Sequence, residues 1–151
     1  MGETSDEWLT LLETPGSGYV WSAQDPPASE PDLEALTRYV GRPLPIDYSA
    51  FLRKWGGGEL WYRDEWDLRF WNARDIPAWA QAYGFTPKRM PGAIPFGDNG
   101  GGEAIVFDVR PEHPDGHYPI IAVNFTSIDW DATIFIATSF RELLQLHRPI
   151  L

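Results

Sequence analysis

Apolar residues along the chain change their spacing twice, and the changes divide it into a helical first part, a strand-rich middle and a closing helix. Leu33, Leu36, Tyr39 and Val40 recur at helical intervals. Ser29 can cap that helix, Pro31 suits its first turn, Asp32 lies near its positive end, and Gly41 can terminate it. After Leu44–Pro45, the residues Tyr48, Phe51, Leu52 and Trp55 fall at i, i+3, i+4 and i+7, a single apolar stripe ended by Gly56–Gly57–Gly58. Upstream, Ser5 or Asp6 can cap a short helix through Trp8, Leu9, Leu11 and Leu12, read as peripheral and ended by Pro15–Gly16–Ser17–Gly18. The stretch from there to Ser29, which includes Asp25–Pro26–Pro27, reads as turns.

From Glu59 the period shortens and aromatic residues alternate with polar ones, predicting strands around Leu60–Tyr62 and Asp67–Trp71 joined by Arg63–Asp64–Glu65. Arg74 to Tyr83 predicts a short helix turning Ile76, Trp79 and Ala80 inward, with Gly84 as its terminator. Four more strands follow, at Ile94–Phe96, Glu103–Val109, Tyr118–Asn124 and Thr133–Ala137, and hairpin pairing is the expected arrangement. Thr138 or Ser139 can cap a last helix through Phe140, Leu143, Leu144 and Leu146, with His147 and Arg148 near its negative end. The order predicts one α+β domain, a largely antiparallel twisted sheet packed against N-terminal and C-terminal helices.

Composition narrows what such a domain can do. At 151 residues, 43% hydrophobic and with eight tryptophans, the chain has the apolar mass for one core of its own. It has no cysteine, which excludes disulfides, thiolate zinc sites and a cysteine nucleophile. No apolar run reaches the ~20 residues of a membrane span, and the acidic start is unlike a secretory signal, so a cytoplasmic protein is expected. A formal charge of −10 would repel nucleic acid and anionic membranes and would speed encounter with a basic protein.

The run Leu44–Pro45–Ile46–Asp47–Tyr48–Ser49–Ala50–Phe51–Leu52–Arg53–Lys54–Trp55 with its glycine cluster resembles the SUKH superfamily. Ile94–Pro95–Phe96–Gly97–Asp98–Asn99–Gly100–Gly101–Gly102–Glu103, followed by Ala104 to Asp108, is similar to the superfamily's second segment, and Ser139 to Leu144 to its last helix. The likeness spans about Asp32 to Leu146 and leaves residues 1–30 as an N-terminal extension. It implies a non-enzymatic protein without a cofactor. Bacterial members are immunity proteins that neutralise a cognate toxin domain, and fungal relatives are regulatory scaffolds of cell-wall assembly. The toxin expected for so acidic a chain is cationic, a nuclease or a deaminase, met by a monomer or weak dimer.

Other chemistry finds little footing. The glycine clusters follow a helix or precede a strand, so turns explain them better than phosphate binding does. His113 and His117 have zinc-ligand spacing, but the neighbouring prolines preclude the helix that would align them. No serine lies in a nucleophile-elbow context, which leaves a hydrolase the weakest alternative. Trp61, Trp66, Trp71 and Trp130 are interleaved with charge, a pattern that fits either interface anchors with a polar rim or an outer core layer. The candidate partner contacts are Trp61, Tyr62 and Trp66 as anchors, Asp64, Glu65 and Asp67 as charge complements, and the turn residues Asp98, Asn99, Asp129, Trp130 and Asp131.

Overall fold

A computed structural model describes residues 7–150 of the chain. Seven strands form one antiparallel sheet whose spatial order is the order of the sequence. They are β1 (Tyr19–Gln24), β2 (Gly58–Tyr62), β3 (Trp66–Phe70), β4 (Ala93–Asp98), β5 (Glu103–Asp108), β6 (Ile120–Asn124) and β7 (Ile134–Ala137). The α-helices are α1 (Glu30–Val40), α2 (Ile46–Lys54), α3 (Ile76–Tyr83) and α4 (Phe140–Gln145).

Local chemistry sets both ends of α1 and the start of α4 where the sequence placed them. The Ser29 hydroxyl accepts a hydrogen bond from the Asp32 backbone N–H at 3.2 Å while the Asp32 carboxylate accepts from Ser29 N–H, a reciprocal capping box. Gly41 closes α1 in the left-handed region, at φ 81°. Ser139 caps α4 through Glu142 N–H at 3.1 Å. The Asp47 carboxylate accepts from Arg141 N–H at 2.8 Å, so the first turns of α2 and α4 are tied together.

Period-two alternation sorts the strand side chains onto two faces. Ile105, Phe107, Ile120 and Ala122 enter a large core with Leu36, Tyr48, Phe51, Phe140 and Leu144 of α1, α2 and α4, which defines the front face. Its centre is aromatic, with ring centroids 4.1 Å apart for Phe96 and Phe107, 4.8 Å for Phe51 and Phe140, and 5.0 Å for Tyr48 and Phe107. Ala104, Val106, Ile121 and Val123 point the other way into a smaller core with Ala80, Phe85 and Met90, on the back face. That core serves β4 to β6. On β1 to β3 the back-facing Val20, Glu59, Trp61, Asp67 and Arg69 lie outside both cores.

Three expectations need correction. The N-terminal helix is a 3₁₀ helix at Glu7–Leu12 and is not peripheral, since Trp8, Leu9 and Leu12 are buried in the large core; its expected caps, Ser5 and Asp6, lie outside the described residues. The stretch read as turns contains β1, which pairs with β2 from Tyr19↔Tyr62 to Gln24↔Gly58. Trp79 does not turn inward: α3 buries Ile76 and Ala80, and Trp79 is 44% exposed. The reason is geometric. Ile76 with Ala80 and Trp79 with Tyr83 are both i, i+4 apolar pairs, and only one can face the sheet.

Candidate protein-binding face

Alternation along the β2–β3 hairpin separates the expected anchors. Trp61 projects from the back face between its register partners Val20 and Asp67. Tyr62 and Trp66, register partners of each other, point to the front. Tyr62 is only 5% exposed, with its ring 5.0 Å from Tyr19, 5.3 Å from Trp66 and stacked at 4.7 Å on His147. Tyr62 and Trp66 therefore pack on the front face, on the opposite side of the sheet from Trp61. Asp64 and Glu65 are exposed at the hairpin tip, where Glu65 N–H donates to the Tyr62 carbonyl at 3.0 Å. Arg63 and Asp64 hold positive φ of 53° and 57° there, a backbone usually left to glycine or asparagine.

Beside Trp61 the back face carries a charged network. The Arg69 guanidinium lies 3.0 Å from Glu59 and 3.3 Å from Asp67. A hydrogen bond from the Ser22 hydroxyl at 2.6 Å is the first cause holding the Glu59 carboxyl below its usual range, helped by Asp67 and Arg69. Burial pushes the Asp67 carboxyl up, and its hydrogen bond with Glu59 pushes it the same way. The pair is thus shifted in opposite directions, Glu59 toward the ionised form and Asp67 toward the protonated one.

Asp98 is Arg69's register partner on β4 and links this network to an aromatic cluster. One Asp98 oxygen accepts the Trp71 indole N–H at 3.0 Å and the other accepts Gly100 N–H at 2.8 Å. Trp71 packs at 5.9 Å from both Trp79 and Tyr83, Trp79 stacks on Tyr83 at 5.6 Å, and Tyr83 meets Phe125 at 4.3 Å. Trp79 and Tyr83 are 44% and 39% exposed, while Trp71 and Phe125 are half-buried. Trp79, Tyr83 and Phe125 were not among the expected contacts. The signal for Trp79 and Tyr83 was the second i, i+4 pair on α3, which sequence alone could not orient, and Phe125 had none.

Of the remaining candidates, Asn99, Trp130 and Asp129 are engaged within the chain. Asn99 organises the β4–β5 turn, accepting from Gly101 N–H at 2.8 Å and Glu103 N–H at 3.1 Å and donating to the Glu103 carboxylate at 2.7 Å. Trp130 is clamped, its indole N–H donating to the Pro91 carbonyl at 2.9 Å and its ring covered by the Arg110 guanidinium at 3.7 Å. Asp129 caps the short 3₁₀ turn Trp130–Ala132 through Asp131 N–H at 2.9 Å, and Asp131 is exposed. These three residues form a separate loop from the hairpin. His113 contacts Asp108 at 3.1 Å.

A cleft of 570 Å³ lies on the other side of the molecule, between the first turns of α2 and α4. Of its two carboxylates, Asp47 accepts from Tyr48 N–H at 2.7 Å and Arg141 N–H at 2.8 Å, and Asp115 pairs with Arg42 at 2.7 Å, so both serve the fold. Among the described residues no group of three His, Cys, Asp or Glu side chains is placed to hold a metal ion. What the back face offers is flat aromatic area beside fixed carboxylates, the chemistry of a contact surface.

Among the described residues no helix is long and apolar enough to cross a membrane. No curated protein matches the chain significantly. Residues 27–146 match the profile of the SMI1 / KNR4 family (SUKH-1), a match that holds α1 to α4 and β2 to β7 and begins after β1, and the chain belongs to that family.

Proposed function

We propose that this protein is an immunity-type binder that neutralises a cognate toxin domain by covering part of it with the back face of the sheet. The observation that carries the reading is the Trp71, Trp79, Tyr83 and Phe125 cluster, whose Trp79 and Tyr83 are exposed on α3 and whose Trp71 is joined through Asp98 to the charged network of β2 and β3. Burying two large rings that already stack on each other in the free protein costs little side-chain ordering. Trp61 and Val20, the latter 58% exposed, would extend the contact along β1 and β2. The net charge of −10 favours a basic partner and fast encounter with it.

Co-expression with the toxin domain encoded by the neighbouring gene tests the function. Cells should survive with this protein present and die without it, and survival that does not depend on it would end the proposal. Trp79→Ala and Tyr83→Ala sit on the solvent side of α3 and should leave folding intact. Each should weaken the complex by about 2 kcal/mol, measured by titration calorimetry.

A further inference from the structure

Among the described residues no cation lies over the rings of the aromatic cluster. The cation–π contacts of the described residues fall elsewhere: Arg42 on Tyr118, Lys54 on Trp55, Arg63 on Tyr62, Arg110 on Trp130 and Arg141 on Trp8. One of these pairs shows what a filled site of this composition looks like. Arg110 makes a two-pronged hydrogen bond to Asp108, at 2.9 and 2.8 Å, while its guanidinium lies over Trp130 at 3.7 Å. Carboxylate, indole and guanidinium are thus assembled within one chain.

At the back face the same carboxylate and indole are present. Asp98 is fixed at the edge of the Trp71 ring by the indole N–H and by Gly100 N–H, it makes no ion pair among the described residues although Arg69 feels its charge, and Trp79 packs on Trp71. Glu59 and Asp67 add negative charge on the same face, which Arg69 offsets only in part. A planar guanidinium can lie on a ring and reach a carboxylate at once, which a compact ammonium does less well.

We infer that Trp71, Trp79 and Asp98 form a cradle for an arginine side chain presented by the protein partner. The inference rests on the binding role proposed above, and it specifies the partner's chemistry as a basic surface that projects an arginine onto α3 and the end of β4.

The test uses the whole chain and a small probe, so that it does not depend on any toxin. The indole N–H resonances of Trp71 and Trp79 are followed by NMR while N-acetyl-arginine methylamide is added, with the lysine and citrulline analogues as controls. Arginine should shift both resonances saturably. Lysine should bind about tenfold more weakly, and citrulline, which keeps the shape without the charge, should leave them in place. Asp98→Asn retains an acceptor for Trp71 and should weaken the arginine response about tenfold. Equal responses to arginine and citrulline, or a response unchanged in Asp98→Asn, would overturn the cradle. Toxin protection with no arginine response would also sink the cradle while leaving the proposed function standing, and an arginine response without protection would do the reverse.

Discussion

Tyr48 stands at the centre of the large core, 2% exposed and ringed by Phe96, Phe107 and Phe140 at 5.0 to 5.4 Å. Its hydroxyl is buried with no hydrogen-bond partner among the described residues, and burial pushes its pKa well above the usual phenol range. An unpaired buried hydroxyl opposes folding, so Tyr48→Phe should match the parent or exceed it by about 1 kcal/mol in urea denaturation. A loss of that size would mean the hydroxyl is satisfied after all.

Gly56 shows the opposite intolerance. It holds φ at 76°, and a Cβ there would sit 1.8 Å from the Pro26 carbonyl oxygen, where the chain between β1 and α1 crosses the end of α2. The crossing is held by Asp25 N–H to the Gly57 carbonyl at 3.1 Å and Ala28 N–H to the Leu52 carbonyl at 2.9 Å. Gly56→Ala should therefore cost about 3 kcal/mol in the same assay, more than conformational strain alone, because backbone and not a movable side chain is in the way. Sequence identified this glycine as a helix stop, and packing made it irreplaceable.

At the scale of elements, the connection from β5 to β6 illustrates how a long loop is fixed without regular structure. Arg42, from the α1–α2 link, donates to the carbonyls of Val109 and Arg110 at 3.1 and 3.2 Å, of His113 at 2.7 Å, and to Asp115 at 2.7 Å. Asp108 anchors the other side, 4% exposed and bound to Arg110 and His113. Burial alone would raise its pKa. The hydrogen bonds from the Arg110 side chain and backbone and from His113 outweigh that, and the carboxyl is held below its usual range.

A depressed folded-state pKa gives stability that is present above the unfolded value, about 3.9, and is lost as pH falls through the folded one. Asp108→Asn should accordingly be about 2 kcal/mol less stable than the parent at neutral pH, with the gap closing below about pH 4. Urea denaturation followed across that range checks it, and a gap independent of pH would assign the loss to packing. The carboxylate was visible only as the end of an apolar run, and its pairing with Arg110 required the turn to be built.

For the molecule as a whole, the excess of acidic residues is a repulsive term that the fold carries throughout. Many ion pairs are at the surface, including Arg53 with Glu30 and Lys54 with Glu13, where such pairs contribute little. Screening should then relieve more repulsion than attraction. The thermal midpoint is expected to rise from about 10 mM to about 150 mM sodium chloride, read by calorimetry, and a fall would show that the ion pairs dominate.

Much of this architecture was legible in the residue order. The caps Ser29, Gly41 and Ser139 and the apolar stripe of α2 are local signals, and hairpin pairing of successive strands follows from short turns. β1 was not legible, because a six-residue segment followed by Asp25–Pro26–Pro27 becomes a strand only once β2 offers it an edge.

The binding face divides the same way. Sequence by itself determined that the chain is one acidic α+β fold of this family, with tryptophans set among carboxylates between its glycine clusters. Tertiary structure decided which of them meet. Alternation sent Tyr62 and Trp66 to the front face, Arg110 closed over Trp130, and the choice of Ile76 and Ala80 as the buried side of α3 left Trp79 and Tyr83 outside beside Trp71 and Asp98. Period and polarity are properties of neighbours in the chain. Which of two equally apolar helix faces is covered depends on the sheet that meets it.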